Sequence, residues 1–260
     1  MSGATLYGVG VGPGAPDLIT LRALAVLKSA PVLALPRASD YGSSMAWTIV
    51  EPVLGRLPEQ ERLFLTFPMN KDPARLRPAW ELACAQIGER LERGLSVAFA
   101  TEGDPSLYSS FTYLAREAPR RWPGVRIEIV PGVSSLAAVP ARTGVPLADG
   151  QERIAIIPAN YGVDDLVSVL ERFDTTVIMK IGHQMPGVVA ALERTGLLDR
   201  AVYVARATME GERIETDLRR VEATYGDCFA MVVVARKERS GVLAGEVPAI
   251  ARGVLGRVAG

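Results

Sequence analysis

Short apolar runs alternate along this chain with stretches in which apolar positions recur at helical spacing. The runs at 5–9, 32–35, 62–65, 96–100 and 126–130 read as strands, as do those at 153–157, 176–179, 201–205 and 229–235. Helices are predicted over 20–29, part of 73–92, 107–117, 134–142, 164–172 and 185–195, with a turn or so near 218–225. Within 73–92, Leu82, Ile87 and Leu91 fall at roughly helical intervals with Glu81, Glu89 and Arg90 between them. Alternating strands and helices predict an α/β fold. Gly, Pro and Asp cluster at 144–150, which places a division there: an N-terminal α/β domain over 1–146 and a C-terminal one over 147–260. The tail at 249–258 is either a small helix or frayed chain.

Two of the predicted strands end in loops with chemical content. The run at 95–100 leads into Thr101-Glu102-Gly103-Asp104-Pro105-Ser106-Leu107-Tyr108, and the first strand leads into Gly8-Val9-Gly10-Val11-Gly12-Pro13-Gly14. Open α/β sheets bind ligands at the carboxyl ends of their strands, so two such loops imply one shared crevice. Gly10-Val11-Gly12-Pro13-Gly14-Ala15 also satisfies a dinucleotide fingerprint. Against that reading, Pro13 removes an N–H that would face a pyrophosphate, and Leu35-Pro36-Arg37 carries no acid for an adenosine ribose. Some of these glycines serve a tight strand-to-helix turn in any case.

Composition narrows the partners. The 29 basic and 29 acidic residues balance without blocks of like charge, which argues against nucleic acid or a membrane surface and for a small molecule. Arg supplies 25 of the 29 basic residues, a guanidinium excess suited to carboxylates and equally the product of a GC-rich genome. Cys84 and Cys228 show no metal-ligand spacing and are expected to be buried thiols in a reducing compartment. His183 is the sole histidine, which excludes a two-imidazole scheme, and no metal site is expected. With no signal-like start and no apolar run near 18 residues, a cytoplasmic, soluble protein is expected.

Four segments carry a family resemblance. Tyr7-Gly8-Val9-Gly10-Val11-Gly12-Pro13-Gly14-Ala15-Pro16-Asp17-Leu18-Ile19-Thr20-Leu21-Arg22-Ala23 resembles the first signature of the tetrapyrrole (corrin/porphyrin) methyltransferases. The Gly103-Asp104-Pro105 loop resembles the second, Val130-Pro131-Gly132-Val133-Ser134-Ser135 the third, and Gly144-Val145-Pro146-Leu147 follows at the usual interval. Met179-Lys180-Ile181-Gly182 and Arg206-Ala207-Thr208 extend the likeness more loosely. Glu102 before Gly-Asp-Pro, and Tyr108-Ser109-Ser110-Phe111 after it, are most similar to the subgroup that methylates carbon 20 of precorrin-2. Other members of the family act on different corrin or porphyrin carbons, and that alternative stands beside the subgroup reading. A non-catalytic protein that kept the fold is the rival from another class.

The resemblance implies two α/β domains of the tetrapyrrole methylase fold, with S-adenosylmethionine bound in the cleft between them. Carried over by position, the donor contacts are Pro13, Glu102, Gly103, Asp104, Leu107, Ser134, Ser135, Lys180 and Ala207, with one expected near Val233. The acceptor would be a reduced tetrapyrrole, metal-free or cobalt-bound, whose carboxylates give Arg37, Arg116 and Arg206 a use. Methyl transfer from a sulfonium needs alignment and exclusion of water rather than a strong protein nucleophile. A proton must still leave the acceptor; Glu102, Asp104 and Tyr108 are the catalytic candidates, with Tyr161 behind them. Asp104 has a second expected role, bonding nearby backbone N–H groups to fix its turn. The resemblance also implies a homodimer.

Overall fold

The structure is a computed structural model, which describes residues 3–68, 72–221 and 229–237. Cys228 and the segment 249–258 lie outside the described residues, as does the second half of the turn expected near 218–225, whose first half holds a 3-10 turn at Leu218–Arg220. The chain divides into two compact units, Met1–Ser135 and Leu136–Gly260.

The first unit is built on five parallel strands: β1 (Thr5–Gly10), β2 (Val32–Arg37), β3 (Glu61–Thr66), β4 (Val97–Thr101) and β5 (Arg126–Val130), in the order β3-β2-β4-β1-β5. Central β4 is buried at every residue, as a parallel strand covered on both faces must be, whereas edge strand β3 alternates between buried and exposed positions. Helices α1 (Leu21–Ser29), α2 (Met45–Leu54), α3 (Pro73–Glu92) and α4 (Phe111–Arg121) connect the strands. Leu6, Val97 and Phe99 from the sheet, Ile87 and Leu91 from α3, and Phe111 and Leu114 from α4 form one buried cluster. Cys84 joins it, and burial pushes its thiol pKa up, so the thiol stays protonated.

Local chemistry sets the helix ends. Thr20 caps α1 by accepting the Ala23 N–H at 3.1 Å, and Asp72 caps α3 by accepting the Ala74 N–H at 2.9 Å. α3 runs its full 20 residues with Pro78 inside it. The helix expected from 107 starts at Phe111 instead. Tyr108 has a left-handed φ of 53°, and the Ser109 hydroxyl accepts the Phe111 N–H at 3.1 Å, so regular helix cannot begin earlier. Helix α2 was not among the expected elements, and its Trp47, Ile49, Val50, Pro52 and Val53 are weak helix formers. It forms because the Ser44 hydroxyl accepts the Trp47 N–H and because Ala46, Ile49, Val50 and Leu54 are buried together along it.

The second unit carries a mixed sheet: β6 (Ile154–Pro158), β7 (Thr175–Met179), β8 (Ala201–Ala205), β9 (Arg213–Glu215) and β10 (Ala230–Ala235), ordered β6-β7-β10-β8-β9. β6 and β7 are parallel, while β10 runs antiparallel to both β7 and β8. The three-residue β9, paired with β8, was not expected. Helices α5 (Ser135–Thr143), α6 (Val163–Arg172) and α7 (Met185–Thr195) complete it. Leu166, Leu170, Val188 and Leu192 pack with Ile178, Tyr203, Val232 and Val234. Val139 of α5 packs with Val177, Val204, Met231 and Val233 in a second cluster. This packing places α5 in the second unit, so the units divide at Ser135, ahead of the Gly-Pro cluster at 144–150 where composition placed the division.

Gly8 is fixed by its neighbour: a Cβ added there would lie 2.2 Å from Phe111, a ring with no solvent exposure. Gly8→Ala is therefore expected to lower stability by about 1–3 kcal/mol through overpacking. Urea denaturation checks it; an unchanged midpoint contradicts this packing.

Candidate active site

Three loops leave the carboxyl edge of the parallel sheet side by side. In register, Gly10 of β1 pairs with Thr101 of β4, and Val9 pairs with Val130 of β5, so the turns that follow are neighbours by construction. The Val11 N–H donates to the Thr101 carbonyl at 2.9 Å, and the Gly103 N–H donates to the Gly12 carbonyl at 2.8 Å. The crossing is tight enough to exclude side chains. A Cβ on Gly132 would lie 2.1 Å from the Gly103 carbonyl oxygen, and one on Gly10 would lie 2.6 Å from both that oxygen and the Gly132 nitrogen. Gly103, by contrast, has room: its Cβ position meets only the Ser134 Cα, at 4.0 Å. The position beside Gly103 is thus open on the side chain's side, with the Ser134 backbone as its nearest neighbour.

Asp104 ties the loops together. Its Oδ1 accepts the Ser106 N–H at 2.8 Å and the Ser106 hydroxyl, while Oδ2 accepts the Gly132 N–H at 3.0 Å. Burial opposes its ionisation, but these three donors more than compensate and hold the carboxyl below the usual Asp range. Glu102, two residues earlier, moves the other way: burial pushes its carboxyl up, against its own backbone N–H and that of Ala46 in the first turn of α2. Two carboxyls in one loop are thereby pushed in opposite directions, Asp104 down and Glu102 up.

The other expected positions of this unit are found around the same crossing. Pro13 is buried in the β1 loop, Leu107 is half-buried and its N–H donates to the Asp104 carbonyl at 3.2 Å, and Ser134 and Ser135 follow Gly132. Tyr108 is 46 % exposed and left-handed, a conformation that costs a bulky residue on the order of 1–3 kcal/mol. Ser109 is buried and bonds the Thr101 hydroxyl at 3.0 Å, so the Tyr-Ser-Ser-Phe segment is partly structural. Arg37 is held by the Thr66 hydroxyl at 3.2 Å and lies over the Phe64 ring at 5.6 Å; Arg116 is exposed in the middle of α4.

In the second unit, β7 and β8 end at the same edge, where Met179 and Val204 both pair with Met231. Lys180 and Arg206 are the next residues, and both are left-handed, with φ of 56° and 53°. Lys180 is exposed, Ala207 is buried and Thr208 is again left-handed at 66°. Backbone strain of this kind stands at the ends of the two strands that flank β10. Val233 is not brought to that edge: it pairs with Val177 and Val202 inside the sheet, and its side chain is buried in the cluster with Ala207. Tyr161 is exposed in the turn before α6, and His183 is exposed in the 3-10 turn Gly182–Gln184. Among the described residues no three His, Cys, Asp or Glu side chains are placed to hold a metal ion, and no helix is long and apolar enough to cross a membrane.

Fold and loops together define an α/β protein of two five-stranded sheets whose shaped turns gather at strand ends. The chain belongs to the tetrapyrrole (corrin/porphyrin) methylases, whose family profile matches residues 5–222. It is 36% identical over 209 residues to the cobalt-precorrin-2 C(20)-methyltransferase of Salmonella typhimurium, covering 80% of this chain and 86% of that protein. It is 31% identical over 240 residues to the precorrin-2 C(20)-methyltransferase of a Sinorhizobium species, covering 88% and 94%. In fold it matches the uroporphyrin-III C-methyltransferase of Thermus thermophilus complexed with S-adenosylhomocysteine, with a TM-score of 0.65 at 24% identity, covering 96% of this chain and all of that one.

Because the folded-state pKa of Asp104 is depressed, its contribution to loop order is present above the ordinary Asp range and is lost as pH falls through the lower folded value. The protection factor of the Gly132 amide, its exchange measured against the intrinsic rate at each pH, should therefore fall in acid in the wild type. Asp104→Asn should exchange faster at neutral pH and lose most of that acid step. Equal protection in both proteins at pH 7 contradicts the bridge.

Proposed function

We propose that this chain is an S-adenosylmethionine-dependent C-methyltransferase that methylates carbon 20 of precorrin-2, or of its cobalt form, on the route to cobalamin. The observation that carries the reading is the agreement of two relatives named for carbon 20 with the tight glycine loop crossing that leaves the position beside Gly103 open. When bound, S-adenosylmethionine supplies an electrophilic methyl group on a positively charged sulfur that departs as a neutral thioether. The residues assigned to hold it are Pro13, Glu102, Gly103, Asp104, Leu107, Ser134 and Ser135 in the first unit, with Lys180 and Ala207 in the second. Val233 enters this reading as packing beneath Ala207.

Each residue has a limited task. Gly103 and Ser134 present backbone groups to the amino-acid end of the donor, whose ammonium and carboxylate both need partners once water is excluded. Asp104 shapes the loops, since both of its oxygens already accept protein hydrogen bonds. The proton released from the acceptor carbon goes to a Glu102 carboxylate oxygen. Its raised pKa makes Glu102 a better base than Asp104 near neutral pH. Tyr108, exposed and left-handed in the same loop, orients the acceptor. The two named relatives differ in whether cobalt is already in the macrocycle, and no protein metal ligand is needed for either form.

Incubation with S-adenosylmethionine and either precorrin-2 or cobalt-precorrin-2 is expected to add one methyl group, located at carbon 20 by NMR. A methyl at another carbon, or no turnover of either macrocycle, contradicts the assignment. Lys180→Ala is expected to raise the donor KM about tenfold, the worth of one charge-assisted hydrogen bond, with the melting temperature unchanged. Unaltered kinetics would assign Lys180 to solvent. We also expect a cytoplasmic homodimer, and light scattering that returns one chain mass at micromolar concentration contradicts the dimer.

A further inference from the structure

The turn after β8 contains an ion pair to which the reading above gives no task. Arg142 on α5 approaches Glu212 with its Nε 2.9 and 3.0 Å from the two carboxylate oxygens and its Nη2 2.7 Å from Oε1. Glu212 Oε2 also accepts the backbone N–H of Thr208 at 2.6 Å. Burial opposes ionisation of Glu212, yet Arg142 and that N–H together hold its carboxyl below the usual Glu range, so the clamp is charged at neutral pH. The backbone it grips is unusual. Thr208 and Arg206 are both left-handed, a conformation that a β-branched residue rarely accepts, and Ala207 lies buried between them. The Met209 N–H donates to the Arg206 carbonyl at 2.9 Å and the Glu212 N–H to the Met209 carbonyl at 3.1 Å, which folds the chain back and returns Glu212 to Thr208.

We propose that Arg142 and Glu212 are positioning residues of the donor site: their bidentate pair holds Thr208 left-handed and so fixes the backbone of Ala207 where the donor is bound. The inference rests on the donor role given to Ala207 above. A turn that only reversed the chain would be served by glycine at position 208. Threonine there, restrained by a paired carboxylate, gives a turn of one fixed shape.

The test is calorimetric titration of S-adenosylhomocysteine into the full-length wild type, Glu212→Ala, Thr208→Gly, the double variant and Arg142→Lys, with a melting temperature for each. Glu212→Ala is expected to weaken binding at least tenfold. Adding Thr208→Gly should restore most of the loss, because glycine takes the left-handed conformation without a clamp. Arg142→Lys, which keeps charge but loses the planar fork, should weaken binding by an intermediate factor. Wild-type affinity in Glu212→Ala alongside a lowered melting temperature makes the pair a structural staple and overturns the proposal, as does weakened binding that glycine does not rescue. Should Glu212→Ala fail to fold, unchanged affinity in Arg142→Lys overturns it. A wild type that binds no S-adenosylhomocysteine instead rejects the methyltransferase reading itself.

Discussion

The two hydrogen bonds that run from the separate oxygens of Asp104 to Ser106 and Gly132 hold the first unit's loops in one arrangement. Parallel strands bring Gly10, Thr101 and Val130 to one edge, but register alone leaves three turns free to splay. Close backbone approach between Gly10, Gly103 and Gly132 is possible only without side chains, and it would still be lost without a group spanning from the second turn to the third. A carboxylate accepting three donors is a strong and directional tie. It explains why an acid stands between Gly103 and Pro105 without requiring that acid to touch any ligand.

The same loop then separates two carboxyls by environment alone. Asp104 spends its charge on backbone N–H groups and a hydroxyl, which favours ionisation, whereas Glu102 loses more to burial than it regains from Ala46. Environments that push neighbouring acids apart let one loop hold both a fixed structural charge and a more basic carboxylate. Methyl transfer from a sulfonium makes modest demands on protein chemistry, and in the proposed function one raised carboxyl in a positioned loop is asked to meet them. In the second unit, left-handed residues stand at the ends of β7 and β8.

Much of the architecture was legible because its strands are short apolar runs bounded by Gly, Pro and Asp, and nine of the ten fall within two residues of where the pattern places them. β9 was not legible: Arg213-Ile214-Glu215 is too short to show a period and exists by pairing with β8. Nor was α2, whose β-branched and aromatic residues are overridden by the Ser44 cap and by burial. In the site, the Gly-Asp-Pro turn stood out as chemistry, and even the loop-fixing role of Asp104 follows from the residue type. Its long-range partner did not, because Gly132 is distant in sequence and reaches Asp104 only through the register of β5 on β1. The Arg142–Glu212 pair was invisible for the same reason, and the place of Val233, inside the sheet on β10, is set by pairing that the chain's local pattern does not show. The relatives named for carbon 20 agree with the subgroup that Glu102 and the Tyr-Ser-Ser-Phe segment suggested.

In the proposed function the glycine crossing pinned by Asp104 borders the donor. A crystal structure of the protein with S-adenosylhomocysteine should show the ligand's amino-acid end against the backbone of Gly103 and Ser134, with Asp104 still bonded to Gly132. Ligand bound away from that crossing, or Asp104 turned from Gly132 to the ligand, would contradict it.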